Sequence, residues 1–126
     1  MSNIIQVIFK KIFKFGLKQE SKLLDSDIAK LIKQISAQML AEKLYYILPS
    51  EGNVKPNVSH INNGWCVEFT ERLLKHIDGE YMWREEFDIP HAFVLYNGCY
   101  YDSESPYGVS DWRNLPIWKD KFKCKK

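Results

Sequence analysis

The stretch HAFVLYNGCYYDSE, residues 91 to 104, constrains the fold of this chain more than any other. Two β-rich runs meet at Asn97-Gly98, and a tight hairpin needs positive φ at both central residues, which Asn and Gly adopt at least cost. A two-residue turn fixes the register, so paired residues have numbers that sum to 195, as Asn97 and Gly98 do. His91 then faces Glu104, Phe93 faces Asp102 and Leu95 faces Tyr100 on one side of the ribbon. Ala92, Val94, Tyr96, Cys99, Tyr101 and Ser103 fall on the other. Asp102 lies diagonal to His91, about 7–8 Å away between backbone positions, within reach of an imidazole and a short acid leaning together. One face therefore presents a histidine with two acids, and either Asp102 or Glu104 is placed to serve the ring.

Upstream, INNGWCVEFTERLLKHI, residues 61 to 77, predicts a helix beginning near Cys66. Cys66, Phe69, Leu73 and Ile77 share one face of it. A cysteine in the first turn of a helix meets unbonded N–H groups and the positive end of the helix dipole, which favour the thiolate and bring such thiols to pKa values of about 3.5–7.5. Asn62 and Asn63 are candidates to cap this helix and, with the Cys66 amide, to donate to an oxyanion. A small buried thiol is the commoner role for a single cysteine. The histidine and acids downstream are what shift the balance toward chemistry. A thiol on a helix start, an imidazole on a facing strand and an acid on the next strand are the parts that covalent acyl transfer requires. His91 is the candidate base. His76 is too far along the same helix to reach the thiol, and His60 precedes it in a loop. Cys99 points away from His91, and Cys124 sits in a lysine-rich tail.

The remaining sequence sets the frame. Residues 25 to 50 carry Ile28, Leu31, Ile32, Ile35 and Met39 at helical spacing, with Asp25 or Ser26 to cap the start and Pro49 to mark the stop. Residues 50 to 64 read as an irregular loop. Only 25 residues separate Cys66 from His91, room for one helix and little else. A chain of 126 residues fits a single domain, 1–126, with an apolar fraction of 45% that suits a packed core. A net charge of +2, with scattered lysines, calls for no nucleic-acid partner. Three cysteines with no CxxC pair suggest neither a disulfide framework nor a zinc site, and fit a reducing, cytoplasmic setting. Residues 1 to 20 form a basic amphipathic segment, its apolar runs cut by lysines before they reach spanning length. Docking of this segment on the domain is the preferred reading, and peripheral membrane contact through residues 1 to 18 the other.

Taken together, the cysteine at a helix start, the histidine in HAFVLYNG, the acid in YYDSESPYGV and the following DWRNLP resemble the papain-like cysteine hydrolase superfamily. The likeness is to its transglutaminase-like and NlpC-type branches, in particular to small phage and mobile-element proteins, and covers residues 61 to 118. The resemblance implies an α+β fold in which a nucleophile-bearing helix packs on a small antiparallel sheet. It also implies a triad of Cys66, His91 and Asp102 acting without a cofactor or metal. The expected activity is hydrolysis of a peptide, isopeptide or other amide through a Cys66 thioester, on a peptide or protein substrate. A papain glutamine that serves the oxyanion has no counterpart here, where Asn62 and Asn63 stand. Of the tryptophans at 65, 83, 112 and 118, Trp65 and Trp112 are the expected substrate-binding residues. The alternative is a non-catalytic binding or inhibitor protein that keeps the fold.

Overall fold

A computed structural model describes residues 24–51 and 56–123, with side chains of 45–51 excepted. The basic segment 1–20 and Cys124 lie outside the described residues. Helix α1, Asp25–Glu51, buries Ile28, Leu31, Ile32, Ile35 and Met39 along one face. Asp25 and Ser26 are already inside this helix, and Asp25 and Asp27 sit in its first turn, where acids complement the dipole. The helix also runs two residues past Pro49, the residue expected to mark its stop.

The expected irregular loop contains a second, short helix, α2 (Val58–Asn62). Its start is set by Asn57, whose Oδ1 accepts the Ser59 N–H at 2.9 Å while its own N–H donates to His60 Nδ1 at 3.0 Å. Helix α3, Cys66–Leu74, follows at once and buries Phe69, Thr70 and Leu73. Arg72 joins it to α1 through Glu42, and Lys43 reaches Glu68 at 2.9 Å.

A three-stranded antiparallel sheet in the order β1-β2-β3 completes the α+β architecture, with β1 Glu80–Glu86, β2 Ile89–Tyr96 and β3 Cys99–Tyr101. In the second hairpin Val94 pairs with Tyr101, Leu95 with Tyr100 and Tyr96 with Cys99, the register that a two-residue Asn97-Gly98 turn dictates. Both turn residues have positive φ, 54° and 80°. Strand β1 is a departure from the sequence reading, which left no room for it between Cys66 and His91. Its turn is formed by Phe87 and Asp88 at φ 56° and 61°, the same geometry without a glycine to announce it.

The sheet separates two apolar clusters. Val94 and Tyr101 pack with the buried faces of α1 and α3 on one side. Phe93 packs on the other side with Leu115 and Trp118, at the start of helix α4, Pro116–Lys123. A single 3-10 turn, Trp112–Asn114, leads into α4, with Asp111 accepting the Arg113 N–H at 3.0 Å. After β3 the chain folds back through Gly108, so that Tyr100 and Val109 bond each other reciprocally.

Gly108 has φ +81°, and a Cβ there would stand 2.9 Å from the Tyr101 ring and 3.0 Å from Cys99 Cβ. Gly108→Ala is expected to cost about 1–3 kcal/mol, through backbone strain and overpacking together. Urea unfolding should show a lower midpoint with an unchanged slope. An unchanged midpoint would contradict the close packing of this turn.

Candidate active site

The site arises where β3 stops. β3 ends at Tyr101, opposite Val94, so the preceding part of β2 has a bare edge on that side. Backbone N–H groups of alternate strand residues point the same way. Ala92 directs its N–H out of this bare edge to Cys66 Sγ, at 3.4 Å. Pro90, two residues earlier, turns its nitrogen in the same direction, where no partner strand needs a donor, and so a proline is tolerated in the central strand. Cys66 is the first residue of α3, and its half-buried thiol is thereby set against the rim of the sheet.

His91 is fully buried beside it. Its ring stacks on Phe93 at 5.7 Å and meets the Trp118 indole edge to face at 5.6 Å. Trp118 is itself fixed by an Nε1 hydrogen bond to the Ile89 carbonyl at 3.1 Å. His91 Nε2 lies 2.9 Å from Asp102 Oδ2. Nδ1, on the other edge of the ring, closes no regular hydrogen bond and is the nitrogen left for the thiol. Asp102 is as deeply buried, and its Oδ1 accepts the Glu104 N–H at 3.0 Å. Asn62 Nδ2 donates to Asp102 Oδ2 at 3.4 Å, and Asn62 Oδ1 accepts from the Ser103 hydroxyl at 3.1 Å.

Charge follows from this geometry. Burial pushes the His91 pKa down, but the Asp102 carboxylate and the Cys66 thiol push it up more strongly, to about 9. Half-burial pushes the Cys66 thiol up, yet the neighbouring His91 imidazole and the Ala92 N–H outweigh it and leave the thiol below its ordinary value. The two shifts both favour passage of the proton from the thiol to the imidazole. Because the His91 pKa is raised on folding, the pair stabilises the fold fully below the unfolded value of about 6.5, and that stabilisation is lost as pH rises through about 9.

The structure brings Cys66, His91 and Asp102 together, with Asp102 and not Glu104 against the ring. The Glu104 carboxyl is raised by its own burial and by the negative charge of Asp102. Asn62 and Asn63 do not cap α3. They fall at the end of α2, where Asn63 Nδ2 closes that helix on the Ser59 carbonyl at 2.8 Å and Asn62 turns inward to Asp102. The cap position of α3 is Trp65, which makes no side-chain bond to the first turn, so the N–H groups at this helix start are not taken up by a cap.

That space is a cleft of about 320 Å³. Asn62, Asn63 and Gly64 form one wall, with Val67, Trp83, Ile89, Pro90 and Ile117 around the rest and Cys66 opening into it. Neither Trp65 nor Trp112 lines it. Trp65 packs against the core under the Lys43 ammonium, 5.6 Å from its ring, and Trp112 lies beneath the Arg84 guanidinium at 3.8 Å. Trp83 is the tryptophan that lines the cleft. The alternation of Tyr81 and Trp83 in EYMWREE was the available signal, and it becomes informative only once β1 is known to pair with β2.

Comparison with protein-family models, with curated proteins and with solved structures returns no match. Among the described residues no helix is long and apolar enough to cross a membrane.

Iodoacetamide titration checks the electrostatics. Cys66 should be alkylated at pH 6 to 7, where an ordinary thiol of pKa near 8.5 is almost wholly protonated, and Cys99 should lag behind it. His91→Ala should move the Cys66 curve to higher pH and leave the Cys99 curve in place. A Cys66 that reacts only in denaturant would be a core thiol.

Proposed function

We propose that this chain is a papain-like thiol hydrolase that opens a peptide, isopeptide or other amide bond through a Cys66 thioester. The supporting observation is the junction itself: a half-buried thiol bonded by the Ala92 N–H at the open edge of β2, flanked by the buried His91–Asp102 pair. In a reducing, cytoplasmic setting this thiol stays available. Cys66 and Cys99 are both free.

In this reading the Cys66 thiolate attacks the substrate carbonyl carbon, and the developing oxyanion is met by first-turn N–H groups of α3. The His91 imidazolium gives its proton to the departing amine, and a thioester remains on Cys66. The now neutral imidazole takes a proton from water, the hydroxide equivalent attacks the thioester, and the acid product leaves as the thiolate–imidazolium pair is restored. Asp102 keeps Nε2 engaged throughout and so holds Nδ1 toward the sulfur.

A simple acyl donor tests this without knowledge of the natural substrate. With p-nitrophenyl acetate at pH 6.5, release of nitrophenolate should coincide with acetylation of Cys66, located by peptide mass mapping. His91→Ala should slow acylation about 10- to 100-fold, since an unassisted thiol of pKa near 8.5 is about 1% thiolate at that pH. Asp102→Asn should slow it less, and Cys66→Ala should abolish it. A rate indifferent to His91→Ala would leave a binding protein of the same fold as the better reading.

A further inference from the structure

Trp83 exposes 52% of its surface although it stands next to the site. It is the cross-strand partner of Ala92 and shares the face of the sheet that carries Val94 and packs on α3, and it lines the cleft together with Cys66. Val67, one residue beyond Cys66 in α3, is also exposed, at 39%. Ile89, Pro90 and Ile117 complete an apolar wall, and among the described residues the lining carries no charged side chain, with Asn62, Asn63 and the Trp83 indole N–H as its polar groups besides the thiol. Among the described residues no lining side chain would pair with a charge carried on the far end of the acyl group, away from the start of α3. The volume of about 320 Å³ lies at the low end for ligand sites, room for one ring-sized group.

We propose that this cleft selects substrates whose acyl group is apolar and uncharged, aromatic or branched, and that Trp83 is the residue that sets the preference. The chemistry at the carbonyl rests on the thiol-hydrolase reading, whereas the selectivity rests on the cleft. Bound in this way, the acyl group lies against the indole, and its carbonyl carbon is carried to the Cys66 sulfur. The sulfur forms the new bond as the leaving group departs with its electron pair.

Two arms separate these claims. In the first, acylation of Cys66 is followed with the acetyl, 3-phenylpropanoyl and succinyl esters of p-nitrophenol. The phenylpropanoyl ester should exceed the succinyl ester by at least about tenfold in kcat/KM. Trp83→Ala should lower the ratio of phenylpropanoyl to acetyl rates about tenfold, while Trp83→Phe should retain most of it. In the second arm, which involves no bond cleavage, Cys66→Ala protein is titrated with 3-phenylpropanamide and with succinamate. Amide resonances of Gly64 and Val67 should shift with the first ligand and not with the second. If no ester acylates Cys66 but the phenylpropanamide shifts persist, the hydrolase reading fails and the cleft's selectivity stands. Equal reactivity or binding of the succinyl compounds, or a ratio unmoved by Trp83→Ala, would overturn the proposal.

Discussion

The 2.9 Å contact between His91 Nε2 and Asp102 Oδ2, sealed from water, is the interaction around which this small domain is arranged. Two ionisable groups removed from solvent carry a desolvation cost of several kcal/mol each, which their attraction offsets only if the remaining lone pairs are also bonded. The surrounding chain meets that condition at the carboxylate. The turn after β3 folds so that the Glu104 N–H reaches Oδ1, and α2 ends so that Asn62 reaches Oδ2. Trp118 and Phe93 close over the imidazole on its own face of the sheet. Helix α4, the short helix α2 and the return loop thus each have a local reason to be where they are.

The same arrangement explains why the sulfur opens into the cleft while the imidazole stays buried behind it. A longer β3 would have paired with Ala92 and consumed its N–H. By ending at Tyr101 the strand leaves that donor to the thiol and frees the rim of β2 for the start of α3. The uncapped first turn of α3 contributes in the same direction, since its N–H groups and dipole favour negative charge at the sulfur. Packing of Phe69 and Leu73 against Val94 anchors the far end of the helix, so the position of Cys66 is fixed by the core and not by the loop before it.

Much of this was legible in the sequence, because Asn97-Gly98 leaves one register open and that register alone places Asp102 diagonal to His91. The amphipathic faces of α1 and α3 were equally plain from apolar spacing. What escaped had weaker local signals. Phe87 and Asp88 turn the first hairpin with positive φ but lack the glycine that usually marks such a turn, so β1 went unseen, and with it Trp83. Asn57 and His60 form a capping box without the usual Ser/Thr and Glu/Gln, which hid α2 in an apparent loop. Once α2 exists, Asn62 and Asn63 belong to its end and not to the start of α3. Trp65 and Trp112 were drawn to packing and cation–π contacts that composition does not reveal.

The claim that Asp102 and Cys66 together hold His91 protonated is open to direct observation by 15N NMR of the imidazole in native protein. At pH 7 both ring nitrogens should carry protons, and the titration should centre near 9. Cys66→Ser should lower that midpoint, because a serine hydroxyl stays neutral where the thiolate contributed charge. A His91 ring that is neutral at pH 7, or one whose midpoint is the same in wild type and Cys66→Ser, would contradict the ion pair and the thiol chemistry built on it.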